Sequence, residues 1–181
     1  MKEKGEKKNR WVILLVLIIL MIDQISKFLI ITFQDKLPMD MIPNVLQIVY
    51  AKNTGGAFGV AQNNTMMFVL TNVVVLGIII RFMMMQKEMM DKKTKVVLAF
   101  VLAGGIGNVL DRVIHGAVID FIKIKLFSFP VFNIADMMIV IGWIAFLAFM
   151  AHYTIQAKRE IKQKKEEIEQ ERRGIEENER N

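Results

Sequence analysis

The sequence predicts an all-α membrane protein whose core is a bundle of four membrane-spanning helices. Of its 181 residues 54% are hydrophobic, and the mean hydropathy is +0.37, which is too apolar for an ordinary soluble domain of this length. Four apolar runs are long enough to cross a bilayer as helices. They lie at about Trp11–Phe33, Met66–Met85, Val96–Ile114 and Ile134–Tyr153. We expect residues 11–157 to form the membrane domain, between a basic N-terminus at 1–10 and a charged tail at 158–181.

Two of these runs need separate justification. The first follows a basic stretch, as in a signal peptide, but it is too long and no small-residue cleavage site follows it closely, so we interpret it as an uncleaved anchor. The third is interrupted by Asn108, Asp111 and Arg112, which makes it the weakest of the four by hydropathy. Asp91–Lys95 separates it from the second run and predicts a short hairpin between two helices.

The distribution of Lys and Arg predicts the orientation of the chain. Five of these residues lie in residues 1–10, five in 81–95 and five in 158–165, which makes 15, against four in the two segments on the other side. By the positive-inside rule both termini lie in the cytoplasm and the two larger loops lie outside. The net charge of +6 is therefore mostly juxtamembrane, and we do not expect a nucleic-acid partner.

The first outer loop, residues 34–65, contains a strand signal and a turn signal. Val45–Tyr50 has the β-branched content of a strand, and Asn53–Gly59 is rich in turn formers. Asn53–Gly59 is either a hairpin turn or a surface on which a substrate chain can lie close to the backbone, since small side chains permit close approach. The asparagine would supply an amide there.

The second outer segment, residues 115–132, is apolar enough to lie in the membrane interface. If Ile119–Leu126 is extended, alternation places Asp120 on the face opposite Lys123 and Lys125. The lysines would then leave the charge of Asp120 unneutralised.

Four aspartates lie in or beside otherwise apolar segments, namely Asp23, Asp111, Asp120 and Asp136. An ionisable group at membrane depth is costly and marks a functional site by default. Asp23 has Lys27 one helical turn later, and Asp111 is followed by Arg112, whereas Asp120 and Asp136 have no such partner. Of the four aspartates, Asp23 is expected to lie deepest in the membrane. Two unneutralised carboxylates that share one proton are what an aspartic protease uses to activate water.

Structural interpretations compete with this one. Asn133 followed by Asp136 fits a helix-capping box, which explains the aspartate without catalysis. The third span carries one polar stripe, formed by Gly104, Asn108, Asp111, Arg112 and His115. This stripe either belongs to a functional site or holds neighbouring helices together. A tight helix contact is also favoured by the small residues Gly104, Gly105 and Gly107.

Residue counts exclude other hydrolytic schemes and two classes of metal site. The two serines, Ser26 and Ser128, lack a nucleophile-elbow setting, and the two histidines fall at opposite ends of the membrane. There is no cysteine, which rules out disulfides, thiolate catalysis and zinc-cysteine sites.

In the tail, Ile161, Ile168 and Ile175 give one apolar position per heptad, too few for a coiled coil, so we expect a solvated and partly helical extension.

Five motifs follow one another along the membrane part of the chain. In order they are Asp23–Gln24 with Lys27, Asn53–Gly59, Gly107–Asn108 with Asp111–Arg112, Val118–Phe121, and Phe132–Asp136. Together they resemble the bacterial lipoprotein signal peptidases (signal peptidase II). The resemblance runs from about Ile22 to Met150, and Met137 departs from it, since the family often has a small polar residue there.

The resemblance implies an integral-membrane aspartic endopeptidase that needs no metal or cofactor. It would cleave a prolipoprotein just before a cysteine carrying diacylglycerol, with membrane lipid around it, and we expect it to act as a monomer. It implies a small β-cradle in the first outer loop, beside the bundle. The implied catalytic pair is Asp120 and Asp136. The implied substrate-binding and supporting residues are Asn53, Gly56, Asn108, Arg112, Asn133, Asp23, Lys27 and Asp111.

The alternative from another class is a small proton-coupled transporter, because intramembrane carboxylates also serve as proton relays. It predicts gradient-dependent uptake and no peptide cleavage. Four spans without an evident inverted repeat disfavour it. A non-catalytic membrane scaffold, a third interpretation, would tolerate loss of either unpaired aspartate.

Overall fold

Four helices form most of the structure, each at a predicted span. The computed structural model describes residues 10–55, 64–86 and 89–179. All four helices are long and apolar enough to cross a membrane, the last over Ile134–Gln170, so the predicted four-span architecture is confirmed. The helices are α1 (Arg10–Thr32), α2 (Thr65–Met85), α3 (Lys92–His115) and α4 (Ile134–Glu179).

Helix α3 is the inner helix of the bundle. Of its most apolar stretch 67% is buried, against 17% or less for the other three, whose large apolar side chains point outward. This position explains its low hydropathy, since its polar side chains face protein and not lipid. Asp91 caps its N-terminus by accepting the Thr94 N–H at 2.9 Å.

Glycines on α3 let the neighbouring helices approach closely, as their spacing predicts. A Cβ at Gly104 would collide with the backbone oxygen of Ala135 on α4. A Cβ at Gly107 would lie 2.6 Å from Oδ2 of Asp23 on α1, and one at Gly105 would meet Leu76 on α2. These contacts draw three helices together around one level of α3.

A small antiparallel sheet packs beside the helices. It contains β1 (Met39–Ile42), β2 (Leu46–Asn53) and β3 (Val118–Ile124), in the order β1-β2-β3. The two strand signals, Val45–Tyr50 and the alternation that begins at Ile119, are therefore confirmed. Pairing places Ala51 opposite Asp120, which brings the end of β2, in the first outer loop, to the second outer segment.

The chain divides into two units, one ending at Trp143 and the other beginning at Ile144. The first contains α1 to α3, the sheet and the start of α4. The second is the remainder of α4, which continues as helix through Glu179. From Lys158 to Gln170 its side chains are exposed, in keeping with a solvated, helical tail.

Candidate active site

Asp136 lies in the first turn of α4 and forms the expected capping box. Its backbone N–H donates to Oδ1 of Asn133 at 2.9 Å, and its Oδ2 accepts the Asn133 N–H at 3.2 Å. The structural interpretation is therefore correct, but it uses only one carboxylate oxygen. The other, Oδ1, accepts the side-chain N–H of Asn108 at 2.7 Å. Capping therefore fixes the position of Asp136 without exhausting its carboxylate.

Asp120 lies on β3 and is only 2% exposed. Its Oδ2 accepts the side-chain N–H of Asn53 at 3.0 Å, and its Oδ1 accepts that of Asn133 at 2.7 Å. Burial raises the pKa of Asp120 to about 7, and the negative charge of Asp136 adds to the effect, while the two asparagine hydrogen bonds oppose it. Its neighbour in the strand, Lys123, donates no hydrogen bond to it among those described.

Both aspartates line one cavity of about 940 Å³. The polar part of its wall also includes Asn53, Asn108 and Arg112, whereas much of the remainder is apolar. The two residues that the sequence left without a cation are therefore brought to the same space, although 16 positions separate them in the chain (136 − 120). Two carboxyl groups brought to one cavity are the groups that paired-acid activation of water requires.

Three asparagines connect the two carboxylates to each other and to the protein. Asn133 donates from Nδ2 to Asp120 and, at 3.2 Å, to Oδ1 of Asn108. Asn108 donates in turn to Asp136. Asn53 completes the set on the sheet side, where its Oδ1 accepts the Gly55 N–H at 3.0 Å. Side chains from β2, α3 and the start of α4 thus converge on two acids.

A buried ion cluster supports this arrangement. Nζ of Lys27 lies 2.8 Å from Oδ2 of Asp23, as predicted, and 2.9 Å from Oδ2 of Asp111. The expectation that Arg112 neutralises Asp111 is wrong, because consecutive helical residues do not face each other. Asp111 instead pairs with Lys27 and accepts the Ile119 N–H at 3.0 Å, which ties α3 to β3.

Asp23 is closer to the site than its position in α1 predicts. We expected it deeper in the membrane, apart from the outer carboxylates. Its Oδ1 accepts the backbone N–H of Ala135 at 2.9 Å, immediately before Asp136 in the chain. The ion cluster is therefore attached directly to the start of α4.

Arg112 organises the backbone around the cavity. Its Nη1 donates to the carbonyl of Asn108 at 3.2 Å and its Nη2 to the carbonyl of Gly55 at 3.1 Å. Its guanidinium also lies 5.2 Å from the centre of the Phe68 ring on α2. It therefore joins α3 to α2 and to the segment that follows β2.

One supporting residue, Gln24, was named in a motif but given no role, and one lies outside the described residues. Gln24 donates from Nε2 to Oδ1 of Asp111 at 3.0 Å and to Oδ2 of Asp23 at 3.2 Å. An amide in an apolar span was the available signal, but its partner on another helix could not be read from the sequence. Gly56 falls outside the ranges that the structure describes.

Comparison with known proteins identifies the family of the chain. The sequence model of the family described as signal peptidase (SPase) II matches residues 15–152. The lipoprotein signal peptidase of Brevibacillus brevis is 38% identical over 136 residues, covering 73% of this chain and 89% of that protein. That of Moorella thermoacetica is 38% identical over 134 residues, covering 72% and 85%.

A solved structure shares the architecture. A bacterial membrane enzyme determined by the in meso method at 2.3 Å resolution superposes with a TM-score of 0.73 at 29% identity, over 79% of this chain and 88% of that one. The family match spans most of the sequence, and the relatives exceed 30% identity over more than two thirds of it. This multi-pass membrane peptidase therefore belongs to the signal peptidase II family.

Proposed function

We propose that the protein is an aspartic endopeptidase that removes the signal peptide from diacylglyceryl-modified prolipoproteins, cutting just before the lipid-bearing cysteine. The observation that carries this proposal is the pair Asp120 and Asp136, whose carboxyl groups line one cavity and are bridged by asparagine amides. The name of the relatives, lipoprotein signal peptidase, supports the substrate class.

The proposed chemistry uses water and one shared proton. The ionised carboxylate takes a proton from a water molecule as that water attacks the scissile carbonyl. The protonated partner gives its proton to the carbonyl oxygen, which yields a tetrahedral gem-diol. The carboxyl group that took the proton of water then gives it to the leaving amine as the C–N bond breaks, and the partner carboxylate takes back a hydroxyl proton of the gem-diol, which restores the singly protonated pair. Because burial raises the pKa of Asp120 to about 7, a singly protonated pair is accessible near neutral pH. The asparagine N–H groups hold both carboxyl groups in place and stabilise the negative charge that remains.

The cavity suits a substrate with a polar backbone and an apolar attachment. Asn53, Asn108 and Arg112 lie on its polar side, and Phe129, Val140 and their neighbours give it an apolar side. A peptide bond can reach the acids while the diacylglycerol chains stay in lipid, since moving them into water is unfavourable. Membrane lipid is therefore part of the proposed substrate's environment.

The proposed orientation places both termini in the cytoplasm and the site near the outer face of a bacterial cytoplasmic membrane. The charge asymmetry of 15 against four basic residues supports this orientation. Asp136 lies in the first turn of α4 and Asp120 lies on the strand after α3, so both acids occur where spans end. Water can reach such a site without crossing the hydrocarbon.

The test is cleavage by purified protein in lipid nanodiscs. A diacylglyceryl-modified precursor should be cut before the cysteine, and the unmodified precursor should not. Asp120→Asn and Asp136→Asn should each lower the rate by about 10²-fold or more while the protein stays folded, because each removes a proton-transfer group. Asp40→Asn is the matched control, since Asp40 lies on the same sheet but pairs with Lys125 on the exposed side.

Two results would reject the proposal. Full activity in either Asp120→Asn or Asp136→Asn would remove the paired acids from the mechanism. Uptake that depends on a proton gradient, with no cleavage of either precursor, would favour the transporter alternative.

A further inference from the structure

Lys27 has three acceptors, and one of them belongs to the site. Besides Asp23 and Asp111, its Nζ donates to Oδ1 of Asn108 at 3.2 Å. The lysine is 2% exposed and Asn108 is 6% exposed, so solvent contributes little to either. An ammonium group has three N–H donors and no acceptor, so these three contacts use its full capacity.

This contact determines which way the amide of Asn108 points. A group that only donates must face the amide oxygen, and Asn133 donates to the same oxygen from its Nδ2. The amide nitrogen is then directed to the other side, where it lies 2.7 Å from Oδ1 of Asp136. The reversed amide would turn its oxygen toward a carboxylate and its N–H groups toward an ammonium, and both contacts would be repulsive.

We propose that Lys27 is a positioning residue that fixes the amide orientation of Asn108 and thereby keeps an N–H donor on Asp136. This inference rests on the proposed function. Asp23 and Asp111 hold the ammonium in place, and Asp23 also accepts the N–H of Ala135, next to Asp136. The ion cluster therefore acts on the reaction through one amide, in addition to holding helices together.

The test is a double-mutant cycle in the rate of cleavage. One arm is Lys27→Met with Asp111→Asn, which keeps the net charge of the cluster at −1 (+1 − 2 before, −1 after) and avoids stranding a second buried carboxylate. The other arm is Asn108→Ala. Wild type, each arm and the combined variant are compared for kcat and KM on the lipid-modified precursor, with thermal unfolding as the measure of folding.

If Lys27 acts through Asn108, each arm should lower kcat by about 10- to 100-fold, as expected for loss of a hydrogen bond to a charged group. KM should change by less than about 2-fold, and the combined variant should be no slower than Asn108→Ala by more than about 2-fold. Independent losses that multiply would overturn the inference.

A second variant decides the matter if the Lys27→Met arm does not fold. Asn108→Asp keeps an acceptor for Lys27 but removes the N–H that Asp136 receives. It should remain folded and lose kcat by about the same 10- to 100-fold; full activity would contradict the inference. Failure of the wild type to cleave would instead reject the proposed function, so the two failures are distinguishable.

Discussion

Removal of the Asn53 side chain tests how the sheet controls the proton of Asp120. Nδ2 of Asn53 donates to Oδ2 of Asp120 at 3.0 Å, and this bond favours the ionised carboxylate. Burial and the charge of Asp136 already raise the pKa of Asp120 to about 7. Asn53→Ala removes an opposing influence, so the pKa of Asp120 should rise further.

The size of the effect follows from the hydrogen bond. A bond to a charged group contributes about 1.5 kcal/mol, and about 1.4 kcal/mol corresponds to one pH unit. The pair loses its shared proton as the pH rises through the pKa of Asp120, so kcat/KM of the wild type should fall above about pH 7. In Asn53→Ala the midpoint of that fall should move to about pH 8.

The assay is kcat/KM on the lipid-modified precursor from about pH 5 to about pH 9, since this ratio reports ionisations of the free enzyme. Gln47→Ala is the matched control, because Gln47 lies on the same strand and donates to an aspartate, Asp40, outside the cavity. Its profile should match that of the wild type. A midpoint in Asn53→Ala that stays in place, or moves to lower pH, would refute the reasoning.

Two further predictions concern stability, measured by thermal unfolding in detergent. Gly107→Ala places a Cβ 2.6 Å from Oδ2 of Asp23, so it should destabilise the fold by about 1–3 kcal/mol. Gly77→Ala is the control, because its Cβ meets nothing within 4 Å, and it should be neutral or slightly stabilising. Equal effects of the two substitutions would contradict the close approach of α1 to α3 at Gly107. Asp91→Ala removes the cap on the Thr94 N–H and should cost about 1 kcal/mol, and Asp91→Asn should restore most of it; no loss in the alanine variant would show that the cap does not stabilise α3.

Much of the fold could be predicted because the membrane imposes simple rules. A spanning segment must be apolar and about 20 residues long, so hydropathy located the first three helices and the start of the fourth within a few residues, whereas α4 continues to Glu179 through the charged tail. The strands were readable from β-branched content at Val45–Tyr50 and from alternation around Asp120. The order of the sheet and the inner position of α3 were not, because both depend on contacts between segments far apart in the chain.

The acids of the site were identifiable from the sequence, but several of their partners were not. Asp120 and Asp136 stood out because each lacked a local cation, which is a property of neighbouring residues. The partner of Asp111 was assigned wrongly because adjacency in the chain was taken as proximity, whereas Lys27 reaches it from another helix. Pairing between helices depends on their rotation and spacing, and the pattern of residues along the sequence contains neither.

The contacts around Asn108 show why pairing between helices matters for the proposed reaction. Its amide touches Lys27 on one side and Asp136 on the other, so an ion pair that looks structural is one side chain away from a proposed catalytic acid. In such a network the partner on one side of an amide determines which group the amide presents on its other side, because each amide has a donor end and an acceptor end. A substitution at Lys27 can therefore alter the rate without touching substrate, and its effect should depend on whether Asn108 is present.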